Sequence, residues 1–295
     1  MKKIVIVIFV ALLATAAVAD EEINQTLDAA KDGQVNVSNL SGSVEVIGWK
    51  SSQIEVTGEL GDDVEEFIFD RTGKQTTIKV RVPERSWGHK DVSSELIIKV
   101  PLDSSLDVST VSADIDIEGV HGEQELTSVS GDINTKAFAN DVRAETVSGD
   151  VDIEGDGNDA EWVLSSVSGD VTADGVSGDV GAEVVSGDVE VSGGSFNRVK
   201  LETVNGDIVF NGGLREKGRM DIETVNGTVE VEFTGTVSAR FDIETFNGRI
   251  RNCFGPKAER TNRHAPGWEL EFTEGDGEGR VSIETLNGSL DLCKE

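Results

Sequence analysis

A short motif built on a small polar residue and glycine recurs through the second half of the 295-residue chain and restricts it to a repeat architecture. Its copies are Ser130-Gly131-Asp132-Ile133, Ser148-Gly149-Asp150-Val151, Ser168-Gly169-Asp170-Val171 and Ser186-Gly187-Asp188-Val189, followed by Asn205-Gly206-Asp207-Ile208, Asn226-Gly227-Thr228-Val229, Asn247-Gly248-Arg249-Ile250 and Asn287-Gly288-Ser289-Leu290. Ser112-Ala113-Asp114-Ile115 is a degenerate start, and Ser41-Gly42-Ser43-Val44 an isolated earlier copy. From Gly131 to Gly248 the glycines are spaced by 18, 20, 18, 19, 21 and 21 residues, with an extra Ser177-Gly178-Asp179-Val180 midway between two of them. Each unit of about 20 residues therefore reads as two half-units, each a strand and a turn.

The flanks alternate with period two. Met220, Ile222, Val229, Val231 and Phe233 are apolar, while Asp221, Glu223, Glu230 and Glu232 stand between them, the signature of strands with one buried and one wet face. Glycine and asparagine at the turns tolerate positive φ. No segment after the leader sustains a 3.6-residue period. An antiparallel meander fits this pattern, but full columns favour a parallel solenoid. Thr146, Thr203, Thr224, Thr245 and Thr285 share one slot, and the Ser-to-Asn position shares another, where stacked amides could bond between coils about 4.8 Å apart. The expected fold is all-β: a single-stranded parallel β-helix of about 20 residues per coil over 109–295, with a β-rich N-terminal cap over 20–108 continuous with it. Within the cap, Gln53 to Val56, Phe67 to Phe69, Thr76 to Val82 and Glu95 to Val100 read as strands, with a hairpin loop at Asp70 to Lys74. An excursion at 252–279 breaks the period, and Glu269 to Phe272 with Arg280 to Thr285 reads as a closing hairpin.

The strings T-V-S-G-D-V (Thr146 to Val151) and T-V-N-G-D-I (Thr203 to Ile208), with an N-terminal G-S-V-E-V-I-G-W segment at Gly42 to Trp49, give the chain a resemblance from about Val35 onward. It resembles the bacterial putative-adhesin family of β-strand-repeat proteins, a domain of unknown function. The resemblance implies a β-helix and a surface or envelope role, and brings no catalytic residues with it.

Export is read from the first residues. Lys2 and Lys3 precede the apolar run Ile4 to Leu13, and Ala17-Val18-Ala19 offers a cleavage site, so 1–19 is expected to be a signal peptide and the location periplasmic or extracellular. No later stretch is long and apolar enough for a membrane-spanning helix. In an oxidising compartment Cys253 and Cys293, each five residues after a repeat glycine, are expected to pair. The net charge of −30 excludes nucleic acid as a partner, and 37% hydrophobic residues argue against general disorder.

Candidate chemistry is sparse. Between Ser105 and Asn197 stand 21 acidic residues and only Lys136 and Arg143 as bases. The column Asp132, Asp150, Asp170, Asp188 and Asp207, with Asp114 and Asp179 beside it, supplies the oxygen donors that Ca²⁺ takes, though the fuller G-G-x-G-x-D pattern is missing. The bland alternative is that these carboxylates cap turns and keep the rod soluble. No other cofactor is implied. His89, His121 and His264 are isolated, and Trp49, Trp87, Trp162 and Trp268 read as core residues first and sugar-stacking residues second. Basic residues return in Arg215, Lys217, Arg219, Arg240, Arg249, Arg251, Lys257, Arg260 and Arg263, and the Lys257 to His264 excursion could meet an acidic glycan or an envelope protein. The sequence thus describes a non-enzymatic, adhesin-like binding or structural protein. The alternatives are a carbohydrate-active β-helix enzyme, needing a carboxylate-lined cleft with a basic residue, and an envelope-stress scaffold with a protein partner.

Overall fold

Alternation of inward aliphatic and outward polar residues drives nearly the whole chain into strands. The computed structural model describes residues 21–83, 91–138, 140–261 and 266–294; the leader 1–19, Trp87, His89 and His264 lie outside them. Among the described residues there is no helix, and 22 strands join in one hydrogen-bonded sheet.

From Ser105 to Phe233 the coils stack in parallel. On one side of the motif corner the register runs Ile115, Ile133, Val151, Val171, Val189, Ile208, Val229. On the other it runs Ala144, Leu164, Ala182, Leu201, Ile222. All these side chains point inward and are buried, and both columns enter one continuous core that reaches from Ile23 to Leu292. Burying one such aliphatic side chain contributes about 1.5–3 kcal/mol, so each coil is stabilised chiefly by the neighbours that cover it. Toward the C-terminal end the core turns aromatic: Phe196, Phe210, Phe233 and Phe241 follow one another with centroids 5.4, 6.1 and 5.9 Å apart, and Phe272 stacks on Phe241 at 4.4 Å.

The corner glycine is required mainly by close approach. A Cβ on Gly227 would lie 1.8 Å from the carbonyl oxygen of Gly206, and one on Gly288 would lie 1.7 Å from that of Gly227. Neither Gly206 nor Gly227 has a positive φ, so the positive-φ argument does not explain them.

Both ends depart from a simple helical succession, and the sheet as a whole is mixed. At the N-terminal end the strand Gln34–Trp49 forms a full coil that pairs in parallel with Ser105–Val120. Ser41, Gly42, Ser43 and Val44 stand opposite Ser112, Ala113, Asp114 and Ile115, so the isolated motif copy meets the degenerate one. Its other side is covered by Gln75–Arg81 and Ser94–Pro101, also parallel. Beyond these, Glu66–Thr72, Gln53–Leu60 and Glu21–Asp28 add antiparallel strands. The expected hairpin at Asp70 to Lys74 is the turn between Glu66–Thr72 and Gln75–Arg81.

At the C-terminal end the expected hairpin of Glu269 to Phe272 with Arg280 to Thr285 is not formed. Gly279–Asn287 instead lies in parallel between Arg219 to Asn226 and Ala239–Asn247, so the last coil is inserted between two earlier ones. Trp268–Glu274 pairs antiparallel with the far side of Ala239–Asn247 and closes the stack. The reason is in the residues: Ile283-Glu284-Thr285-Leu286-Asn287-Gly288 carries every column of the repeat, whereas Trp268–Glu274 has no motif corner and can serve only as a lid. The insertion also places Leu290–Lys294 beside Ile250–Asn252, and Cys253 and Cys293 are joined by a disulfide with Cα atoms 4.8 Å apart. The two cysteines are 40 residues apart in sequence. In the chain-entropy relation a loop of that length corresponds to about 4 kcal/mol. Replacing both cysteines by serine is therefore expected to lower the unfolding free energy by about 2–4 kcal/mol in urea denaturation, with reductant producing the same loss in the native chain.

Candidate functional site

The residue that follows the repeat threonine points the wrong way for a core. In the sequence Glu-Thr-Val-Ser/Asn-Gly the pleat sends threonine inward, where its hydroxyl donates to a corner carbonyl of the neighbouring coil, as in Thr203 to Gly187 (3.2 Å) and Thr245 to Gly288 (2.9 Å). The next residue is then outward. Val111, Val129, Val147, Val167, Val185, Val204, Val225, Leu286 and Phe246 are all exposed, between 38% and 48%. Registers of the flanking residues place them on successive coils, with Leu286 between Val225 and Phe246. At ~4.8 Å per coil this apolar ledge is about 38 Å long.

Two polar columns border it. On the corner side the asparagines bond amide to amide: Asn226 Nδ2 donates to Asn205 Oδ1 (2.8 Å), Asn287 to Asn226 (2.9 Å) and Asn247 to Asn287 (2.8 Å). On the other side Glu183, Glu202, Glu223, Glu284 and Glu244 stand in register, continued by Glu269 of the closing strand. From Val167 onward the ledge becomes a groove of about 960 Å³, lined by Glu183, Glu202, Glu223, Glu284 and Glu244 with the apolar residues beside them and reaching Thr261, Pro266, Gly267 and Trp268 at its end. Arg260 lies over the Trp268 ring, 5.0 Å from its centroid.

The glutamate column is under electrostatic pressure. Burial pushes the Glu244 carboxyl above its ordinary value, and Asp242, Glu284, Glu269 and Glu271 push it further the same way. Lys200 Nζ sits between Glu183 (2.8 Å) and Glu202 (2.9 Å), and these bonds push its pKa up. Lys200 is thus held protonated between two carboxylates.

The aspartates identified in the sequence form a ladder of a different kind. Oδ1 of each accepts the backbone N–H at the corner of the next coil: Asp150 donates to Asp132 (2.9 Å), Asp170 to Asp150 (2.8 Å), Asp188 to Asp170 (2.8 Å), Asp207 to Asp188 (2.7 Å) and Thr228 to Asp207 (2.6 Å). The capping role is present in every step. Among the described residues no group of three or more His, Cys, Asp or Glu gathers where it could hold a metal ion. Trp162 is in the core, its Nε1 donating to the Ser177 carbonyl (2.9 Å); Trp49 and Trp268 are half-buried. His121 packs against Phe138. Two of the returning basic residues are engaged in ion pairs, Arg215 with Asp159 and Arg251 with Asp291. The ledge itself was legible in the motif, since a valine beside an inward threonine must face outward, but a reading that matched columns only by identity passed over it.

Two expectations follow from these ladders. Asp170→Asn keeps the acceptor and should change stability by less than about 0.5 kcal/mol, whereas Asp170→Ala orphans the Asp188 N–H and should cost about 1–2 kcal/mol in urea denaturation. Run in millimolar Ca²⁺ and in chelator at matched ionic strength, the same pair tests the calcium expectation: a midpoint rise confined to Ca²⁺ and lost in Asp170→Asn assigns the ladder to the metal. For Glu244 the folded carboxyl titrates above its ordinary 4.5, so the folded state binds more protons and stability falls as pH rises through that window. Glu244→Gln should raise the thermal midpoint at pH 7 and leave it little changed near pH 4.5.

No curated protein matches the chain. Among solved structures, a putative adhesin from Bacteroides fragilis NCTC 9343 is 12% identical, with 93% of this chain and 98% of that one covered and a TM-score of 0.48. A putative cell adhesion protein from Clostridium sporogenes ATCC 15579 is 10% identical, covering 93% and 100%, with a TM-score of 0.25, and a putative adhesin from Parabacteroides distasonis ATCC 8503 is 8% identical, covering 94% and 98%, with a TM-score of 0.34. The Toastrack DUF4097 model matches residues 53–292, most of the repeat and of the strands that cap it, and the chain therefore belongs to the Toastrack DUF4097 family.

Proposed function

We propose that the protein is a non-enzymatic, exported binding protein of the cell envelope, adhesin-like, whose working surface is the apolar ledge. The observation that carries this reading is the ledge itself: nine exposed apolar side chains in one line on a chain of net charge −30. A contiguous apolar surface of this kind marks an interaction site, because exposing it to water has a cost that selection for solubility would otherwise remove. The scaffold in this reading is a β-helical rod of about 20 residues per coil, supported by the parallel registers from Ser105 to Phe233. Export is supported by the basic and apolar leader and agrees with the disulfide. No cofactor takes part.

The test is co-sedimentation of the chain without residues 1–19 with isolated bacterial envelopes. Saturable retention is expected, falling at least tenfold in a Val204→Ser/Val225→Ser variant whose thermal midpoint matches the parent. Equal retention of the variant would remove the ledge from the function. Release of soluble sugar from the envelopes during incubation would move the protein to the carbohydrate-active reading.

A further inference from the structure

The chemistry beside the ledge narrows its partner. Glu183, Glu202, Glu223, Glu284, Glu244 and Glu269 stand at coil spacing along its length, and Lys200 offsets only the first two. Like charges ~4.8 Å apart repel, and more where burial lowers the local dielectric, as at Glu244. A cationic partner relieves that repulsion at each coil. Exposed ion pairs contribute little each, so the apolar column must supply the remainder of the affinity. A second copy does not answer this charge: pairing ledge to ledge with the columns antiparallel would bring glutamate against glutamate, and with them parallel would set glutamate against asparagine. An acidic glycan meets the same repulsion, and a neutral one leaves the charge unanswered.

Backbone geometry limits the mode further. The strands under the groove as far as Ala239–Asn247 are paired on both sides, and among the described residues only the closing strand Trp268–Glu274, at the far end, has an outer side paired at just two residues. Recognition must then run through side chains, across the strands and along the column. From Val167 to Phe246 the ledge covers six coils, about 24 Å, which is the length of about seven extended residues. In an extended peptide, alternate side chains repeat every ~6.8 Å. Two such steps, about 13.6 Å, come close to three coils, about 14.4 Å. Apolar side chains on one face of such a segment settle over the valines, while basic side chains reach the glutamates.

We propose that the groove receives an extended segment of another protein in which apolar and Lys or Arg side chains alternate, with Trp268 closing the end of the site. This rests on the ledge being the binding surface. The test uses dye-labelled dodecapeptides (Lys-Val)₆, (Lys-Ser)₆ and (Glu-Val)₆ in fluorescence anisotropy with the oxidised chain. The first is expected to bind with a Kd of about 10 μM, at least tenfold tighter than the second, with no binding of the third. Raising salt from 50 to 300 mM should weaken it several-fold. Val204→Ser/Val225→Ser should lose about tenfold and Glu223→Gln/Glu284→Gln about fivefold. Ile97→Ser, which removes an exposed apolar residue elsewhere, should change nothing. Equal binding of (Lys-Ser)₆ would reduce the effect to general polyelectrolyte attraction and overturn the proposal, as would equal binding of (Glu-Val)₆. Envelope retention that depends on the valines while all three peptides fail would overturn the peptide assignment alone. Loss of both dependences would overturn the ledge as well.

Discussion

Everything in this molecule depends on how closely one coil can approach the next at the motif corner. At Gly206, Gly227, Gly248 and Gly288 the glycine hydrogen is all that fits against a corner carbonyl of the neighbouring coil, since a Cβ would lie 1.7–1.9 Å from its oxygen, whereas the first corner of the parallel stack carries the methyl of Ala113. Once the corners are in contact, most of the remaining polar groups are satisfied by side chains of the same few residues, the buried Thr285 hydroxyl being an exception. Threonine reaches a corner carbonyl from inside, aspartate accepts a corner N–H from outside, and asparagine bonds to asparagine above it. The motif is thus a compact instruction for stacking, in which each position answers one unsatisfied group of its neighbour.

Stacking multiplies whatever it repeats. A single exposed valine on a protein surface is unremarkable, and nine in a line make a hydrophobic edge. One glutamate is solvated, but a column of them crowds charge until burial at Glu244 raises the proton affinity. In the aspartate ladder one oxygen of each carboxylate is used instead by a backbone donor of the neighbouring coil. The same geometric repetition therefore makes one acidic column structural and leaves the other available to a ligand.

Much of this was legible beforehand, because period-two alternation and recurrent glycine leave few alternatives. Strands, corners, the asparagine stack and the disulfide could be written from spacing alone. The closing hairpin could not. Residues 269–272 and 280–285 look alike as alternating strands, and only comparison of whole columns shows that the second fits inside the rod while the first can only cover it. The ledge escaped for another reason: sequence patterns reward inward apolar residues, and an outward valine is noticed only when its inward neighbour is assigned first. Trp268 shows the same limit, since its place at the end of the groove depends on a lid strand whose partner is set by tertiary contacts.

The inserted coils at the two ends change how such a rod is assembled. In the middle, each coil lies on the one made just before it, so the structure can grow in the order in which it is synthesised. At the ends that order fails. Residues 34–49 lie between segments that follow them, and residues 279–294 fill a space between two coils that precede them. Shortening the chain from its C-terminus would therefore remove an interior layer and leave Asn226 and Asn247 facing a gap. Repeats could be added only in the middle of the stack, since each end is closed by segments distant in sequence.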